Sequence, residues 1–503
     1  MKKKIAALIL FTTLLLTACI NNNKGGPDDM GGPGHQGGGA PGPQTPGADI
    51  GSDDSSYGDS LSDLGAYDGL FEGGTSNLVI KCVSGTQGCY KVEGSTIIFT
   101  PVSAESVYSI SGNFAGNIVI NTGNSYKFEL ELSGFSLICD STNPITVFSG
   151  DEVSIQAKKN TNNYIYDRRA AIPDTDTDSV SGAIYSEVDL EISGKGKLFV
   201  VSEGNNGIHS KKDLQVKNLD LTVSCKDNAL KGNDSVELEA ATCTLIASLG
   251  DCIKTSNSDI SSKGNQRGTV SVNGGSYDLY AACDGIDAAY DVVMGGSDTV
   301  LNIYTDSFSF HTESVGAAAS SKGIKAANEI TINGGSIQVR SSDNGIHASK
   351  DTPLENGITP RGSIILNGGT LLLYTLADGL HSDGRLYVKG GRTLLVTTGD
   401  GHSAIKAAEG YSYTAGQLIA IMPDGEAASA STDCTDFDKI GRQHSLSLKT
   451  GEYLSCTIGQ SSMTLNLPFS LSACIVILGS PDATASTSVN SQTTLSRGQL
   501  IWK

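Results

Sequence analysis

Ile330-Thr331-Ile332-Asn333-Gly334-Gly335-Ser336-Ile337-Gln338-Val339, followed shortly by Gly345-Ile346, is the stretch that decides the fold. Apolar and polar residues alternate on both sides of an Asn-Gly-Gly turn, the period-two signature of strands with one buried face. The same grammar stands at Val270-Ser271-Val272-Asn273-Gly274-Gly275-Ser276-Tyr277-Asp278-Leu279. It returns from Ile364 to Leu373 through Gly368-Gly369 and from Leu386 to Val396 through Gly390-Gly391. Each unit leads through an acidic turn into a small-aliphatic pair: Gly207-Ile208, Ala229-Leu230, Cys252-Ile253, Gly285-Ile286, Gly323-Ile324, Gly345-Ile346, Gly379-Leu380 and Ala404-Ile405. The intervals between pairs are 22, 23, 33, 38, 22, 34 and 25 residues. A base period of 22 to 25 therefore carries three insertions.

A row of Asn-Gly-Gly hairpins could build a barrel or propeller, but the period is too short for a propeller blade of about 40 residues. The insertions also leave the grammar intact on either side, as when a coil bulges at one corner. With the short strand at each Gly-Ile pair there are three strands and three corners per coil. The expected fold is all-β, a right-handed parallel β-helix. Ala183-Ile184 with Leu190 to Gly194 reads as a further coil, and Ile118 to Ile155 as earlier, less regular ones, with Asn160 to Val180 a loop. Asn77 to about Val107 is expected to be an N-terminal β cap, cap and helix together spanning 77–410. Tyr411 to Lys503 reads as a C-terminal β module, with strands at Gln417 to Ile421 and Cys474 to Leu478.

Stacking at about 4.8 Å turns equivalent positions into columns. The residue after each aliphatic should face outward: His209, Lys231, Lys254, Asp287, Lys325, His347, His381 and Lys406. This basic stripe would pair with carboxylates or hydroxyls of a sugar polymer, or simply be a solvated face. The preceding turns carry Asp227, Asp251, Asp284, Asp343, Asp378 and Asp400 at a ragged offset. Such aspartates form turns, and with backbone carbonyls they also suit Ca²⁺. Asp251, Asp284 and Asp287 are the strongest metal candidates, with Asp343 and Asp378 behind them. Tyr277, Tyr280, Tyr304, Tyr374 and Tyr387 could stack on sugar rings, Tyr280 and Tyr374 foremost.

The net charge of −19 argues against nucleic acid as a partner. Lys2, Lys3 and Lys4 precede an apolar run from Ile5 to Leu16, a signal peptide, and Leu16-Thr17-Ala18-Cys19 resembles a bacterial lipobox. That resemblance implies lipidation at Cys19 and an extracytoplasmic, surface-exposed protein. Residues 20–76, rich in Gly, Pro and Asp, read as a disordered tether. Of the other cysteines, Cys82 and Cys89 could close a small loop. Cys225, Cys252 and Cys283 could be stacked thiols or bridges. A monomer is expected.

The Asp-Gly-Ile and strand-Asn-Gly-Gly-strand grammar resembles the secreted bacterial carbohydrate-binding proteins of β-helix fold related in shape to pectate lyases, over roughly residues 78–410. The resemblance implies binding of cellulose or acidic polygalacturonate, with calcium at turn aspartates, most directly Asp251, Asp284 and Asp287. A lyase would need calcium and a strong base, usually Arg. Arg267, Arg340, Arg361, Arg385 and Arg392 do not fall beside the acidic cluster in the repeat register. A non-catalytic polysaccharide-binding lipoprotein is therefore favoured over a calcium-dependent polysaccharide lyase and over a structural or adhesive surface protein.

Overall fold

The computed structural model describes residues 74–102, 104–170, 182–309, 312, 319–350, 354, 357, 359–423, 442–449, 452–466, 470–479, 483–488 and 500–502. The signal peptide, Cys19 and nearly all of the tether lie outside them. The described residues are all-β apart from one 3₁₀ turn at Asp306–Phe308, and they hold no helix long and apolar enough to cross a membrane.

Three ladders of parallel strands carry the repeat. The first contains the Gly-Ile segments, in which Ile145, Ile184, Ile208, Leu230, Ile253, Ile286, Ile324, Ile346, Leu380 and Ile405 pair in one register. The second contains the strand before each glycine corner: Leu190, Leu214, Val236, Val270, Val292, Ile330, Ile364, Leu386 and Tyr411 are successive partners. The third contains the strand after that corner, aligned through Leu198, Leu221, Cys243, Tyr277, Leu301, Ile337, Leu371, Thr393 and Leu418. Each strand thus bonds to its equivalent one repeat away. The inward aliphatic residues of all three ladders merge into one continuous core.

Gly275, Gly335, Gly369, Gly391 and Gly416 occupy one column at the corner between the second and third ladders, with φ between 80° and 99°. Only glycine enters that region without strain. A Cβ on Gly369 would also lie 2.7 Å from the Gly335 carbonyl oxygen of the neighbouring coil.

The boundaries differ from the sequence reading at three places. Thr96–Phe99 already pairs in parallel with Asn117–Asn121, so the first ladder starts inside the stretch expected to be a cap. Among the described residues, Ser76–Ser84, antiparallel to Glu105–Ala115, and Tyr90–Glu93, antiparallel to Thr96–Phe99, stand at that end. Asn162–Asp167, read as loop, is a third-ladder strand paired with Lys197–Ser202; its Asn-rich opening masks the inward Asn163 and Ile165. The ladders also continue past 410 through Tyr411–Tyr413 and Gln417–Pro423, where Gly416 alone replaces the Gly-Gly pair. Beyond them Leu471–Leu478 runs antiparallel to Gln417–Pro423 and to Arg442–Leu448. A four-stranded antiparallel sheet follows.

Asp291, at the start of a second-ladder strand, shows how such positions work. Its Oδ1 accepts both Asn328 Nδ2 at 2.7 Å and the Glu329 amide at 3.0 Å, and burial pushes its carboxyl up to about 6. A raised acid contributes stability that is full below the unfolded value near 3.8 and is lost as pH climbs through about 6. Asp291→Asn keeps Oδ1 and removes the charge. Thermal melts should show the variant more stable than wild type at pH 7.5, by up to about 3 kcal/mol, and equal to it near pH 3.5.

Candidate functional site

Register fixes the outward column beside the first ladder as Tyr185, His209, Lys231, Lys254, Asp287, Lys325, His347, His381 and Lys406. The side chains leave the core but do not form an open stripe. His209 is buried, with Nε2 3.2 Å from Asn233 Oδ1, and burial holds the Lys231 ammonium below the usual lysine range. Lys406 is the exposed member, at 48% of its side-chain surface.

The turn residues explain why the cations are occupied. Counting back two positions from each aliphatic gives a strict column: Asn206, Asn228, Asp251, Asp284, Lys322, Asn344, Asp378 and Ser403. In it, each acceptor Oδ1 caps the backbone N–H of the next rung. Asn206 takes Asn228 N (3.1 Å), Asn228 takes Asp251 N (3.3 Å), Asp251 takes Asp284 N (2.8 Å) and Asp284 takes Lys322 N (2.7 Å). Lys322 has no acceptor, so Asp343, one residue out of column, caps Asn344 itself at 2.7 Å and receives the Lys322 ammonium at 2.9 Å. Asn344 then caps Asp378 at 2.9 Å, and Asp378 caps Ser403 at 2.8 Å. The sequence reading saw only the acidic members; the Asn and Ser positions were findable by counting from the aliphatic.

The remaining carboxylate oxygens face the outward column. Lys254 Nζ lies 2.6 Å from Asp251 and 3.1 Å from Asp287. Lys325 Nζ lies 3.4 Å from Asp287 and 3.7 Å from Asp284. Burial opposes charge on both lysines, but the carboxylates outweigh it and hold both ammonium groups above their usual range. Burial opposes the Asp287 carboxylate too, yet the two lysines beside it keep it well below the ordinary range. With three carboxyls against two ammonium groups, Asp251 is left short of countercharge: burial, with Asp284 and Asp287 nearby, pushes it up to about 6.

Asp251, Asp284 and Asp287 do come together, with ligand oxygens within 4.8 Å of one another. Two lysine ammonium groups occupy the space between them, and Asp284 Oδ1 also accepts the Ser320 hydroxyl at 2.7 Å. Ca²⁺ needs six to eight oxygens. It would have to displace both lysines, so the residues present fit ammonium and not calcium. Asp343 and Asp378 belong to other rungs: Asp343 to Lys322, and Asp378 to His381 (3.3 Å), His402 (3.6 Å) and Lys406 (3.6 Å). The five aspartates expected to bind metal thus do not form one site: Asp251, Asp284 and Asp287 cluster, while Asp343 and Asp378 pair with cations on other rungs. The arginines lie elsewhere: Arg267 pairs with Asp234 and Asp259, Arg361 with Glu329, and Arg340 stacks on Tyr304.

The tyrosine expectation changes as well. Tyr277 is fully buried in the main core. Tyr280 and Tyr304 stack at 5.1 Å and 8°, on the outer face of the third ladder as a sugar platform would require. That face is covered: Tyr280, Tyr304 and Tyr374 join Phe308, Leu454, Met463 and Val476 in a second hydrophobic cluster. Tyr387 alone of the five is partly exposed, beside Lys389.

Upstream of the cover, the same outer face carries Tyr164 stacked on Phe199 at 5.0 Å and 11°, both partly exposed. At the adjoining corner is a groove of about 460 Å³ lined by Gln156, Lys158, Lys159, Glu191, Ser193, Lys195, Lys217 and Asn218. Lys158 pairs with Glu131 and Lys217 with Glu191. Lys159 and Lys195 are exposed and make no ion pair among the described residues. The sequence reading missed this surface because neither lysine falls in the repeated Gly-Ile column.

Among cysteines, Cys82 and Cys89 are free thiols, as are buried Cys225 and Cys252, whereas Cys283 is disulfide-bonded.

Stacked parallel strands with polar outer columns define an all-β protein built on parallel sheets. Residues 93–360, more than half of the chain, match the family described as "Carbohydrate-binding domain-containing protein", and the chain belongs to that family. A carbohydrate-binding domain-containing protein of Acetivibrio thermocellus is 28% identical over 124 residues, covering 24% of this chain and 43% of that relative. The chain thus matches less than half the length of that relative. Among solved structures, the polysaccharide lyase-like protein from C. thermocellum, as a gadolinium derivative, is similar at 22% identity and a TM-score of 0.38, over 56% of this chain and 90% of that one.

Proposed function

We propose that this chain is a non-catalytic polysaccharide-binding lipoprotein of the cell envelope. In this reading it is a right-handed β-helix, carried outside the membrane by lipidated Cys19 and the 20–76 tether. The ligand class is acidic, plant-type polysaccharide. The observation that carries this is the corner groove. On a chain of net charge −19, it gathers four lysines, two of them without a carboxylate partner among the described residues. The Tyr164–Phe199 stack runs along the adjoining strands.

The chemistry follows from that pairing. Lysine ammonium groups on successive coils can meet successive uronate carboxylates, and aromatic faces take the apolar faces of sugar rings. Binding in this account does not run through calcium at Asp251, Asp284 and Asp287, because Lys254 and Lys325 already supply their countercharge. Calorimetric titration with oligogalacturonates tests the assignment. Lys159→Ala/Lys195→Ala should bind about tenfold more weakly, consistent with about 1.4 kcal/mol lost over two exposed charges. Phe199→Ala should lose a similar factor. Unchanged affinity in both variants would move the ligand elsewhere on the molecule.

A further inference from the structure

We propose that His347, His381 and Asp383 form a binding site for a divalent transition-metal ion of the Zn²⁺ type, bridging two consecutive coils. His347 and His381 are register partners on neighbouring first-ladder strands, so their rings stack, with centroids 4.2 Å apart and planes 20° from parallel. Asp383 follows two residues after His381 and therefore projects on the same side of the strand. Its Oδ1 lies 3.4 Å from His347 Nε2 and 3.2 Å from His381 Nε2. All three ligand atoms fall within 4.8 Å of one another.

Those separations suit an ion better than a direct bond. Ligands about 2.0–2.1 Å from a tetrahedral Zn²⁺ stand about 3.3 Å apart. The N–H···O bonds of proteins cluster near 2.9–3.0 Å. The donor set, two imidazoles and one carboxylate, is that of zinc-type sites and unlike the all-oxygen shell calcium needs. Asp378 Oδ2, 3.3 Å from His381 Nδ1, can orient that ring from behind, as carboxylates commonly do for metal-bound histidine. Asn344 Nδ2, its Oδ1 held by the Asp378 amide, faces the same Nδ1 at 3.1 Å, so an ion on Nε2 requires the ring proton to sit on Nδ1 with Asp378 accepting it.

The second carboxylate oxygen of Asp383 accepts the Lys350 amide at 3.2 Å, which fixes its orientation. The three side chains retain 13%, 15% and 15% of their surface, enough for solvent to supply a fourth ligand. Nearby cations are already neutralised: Lys325 by Asp284 and Asp287, Lys322 by Asp343, Lys406 by Asp378. This site is separate from the corner groove, so its failure leaves the polysaccharide reading untouched.

The test is titration of the full-length, chelator-stripped protein with Co²⁺ and then Zn²⁺. The expected result is saturation at one equivalent with the strong visible absorption of tetrahedral cobalt, lost on adding Zn²⁺. His381→Ala and Asp383→Asn should each weaken Zn²⁺ binding by about 100-fold, while His444→Ala should not. Asp383→Asn keeps the shape of the side chain, so it remains informative if His381→Ala disturbs folding. Absence of a tetrahedral cobalt spectrum in wild type, or wild-type Zn²⁺ affinity in Asp383→Asn, would overturn the site.

Discussion

Replacing Lys254 by Met is expected to lower stability by about 3–5 kcal/mol, because removing one partner of a buried pair leaves uncompensated charge behind. Lys254 bridges Asp251 on its own coil and Asp287 on the next. Without it, Lys325 is the remaining direct ion-pair partner of the three carboxylates among the described residues, with Lys322 and Lys231 acting on them from farther away. A second change, Asp251→Asn, should restore much of the loss, since the Asn Oδ1 can still cap Asp284 as Asn206 caps Asn228. Urea unfolding of the single and double variants provides the comparison. Equal midpoints for wild type and Lys254→Met would mean that the ammonium is not the countercharge of this cluster.

Gly369→Ala carries the second large effect, expected at about 2–4 kcal/mol. A φ of +82° costs an L-residue about 1–2 kcal/mol. The new Cβ would meet the Gly334 carbonyl carbon and the Gly335 carbonyl oxygen, both at 2.7 Å, so one coil must move relative to its neighbour. Gly401→Ala is the control: it has a similar φ of +85°, but nothing lies within 4 Å of its Cβ. It should cost only the conformational part. If the two substitutions cost the same, close packing of the corner column does not contribute.

The first-ladder aliphatic column was legible in the sequence because Ile or Leu recurs at one offset, and the glycine corner because Gly recurs at five rungs despite Ala241 and Thr299; the pairing register aligns both. The outward column beside the first ladder was legible in identity but not in state. Alternation shows which side chains leave the core; it does not show that Asp251, Asp284 and Asp378, from the preceding turns, fold over to neutralise them. The turn column looked ragged because aspartates alone were followed, when Asn206, Asn228 and Asn344 do the same capping.

The tyrosines failed for a different reason. Tyr280 and Tyr374 face outward as alternation requires, but what covers them, such as Leu454 and Met463, is far away in sequence and follows no repeat. Asp383 escaped notice because it belongs to a single rung. Its partnership with His347 exists only once two coils are stacked.

Affinity electrophoresis of the purified protein through gels containing polygalacturonate or a neutral glucan, with and without EDTA, tests the polysaccharide reading most directly. The expected result is retardation by polygalacturonate that persists in EDTA, is lost in Lys159→Ala/Lys195→Ala, and is not accompanied by release of ultraviolet-absorbing unsaturated uronides. Free migration in polygalacturonate would contradict it, as would retardation abolished by EDTA or release of those products.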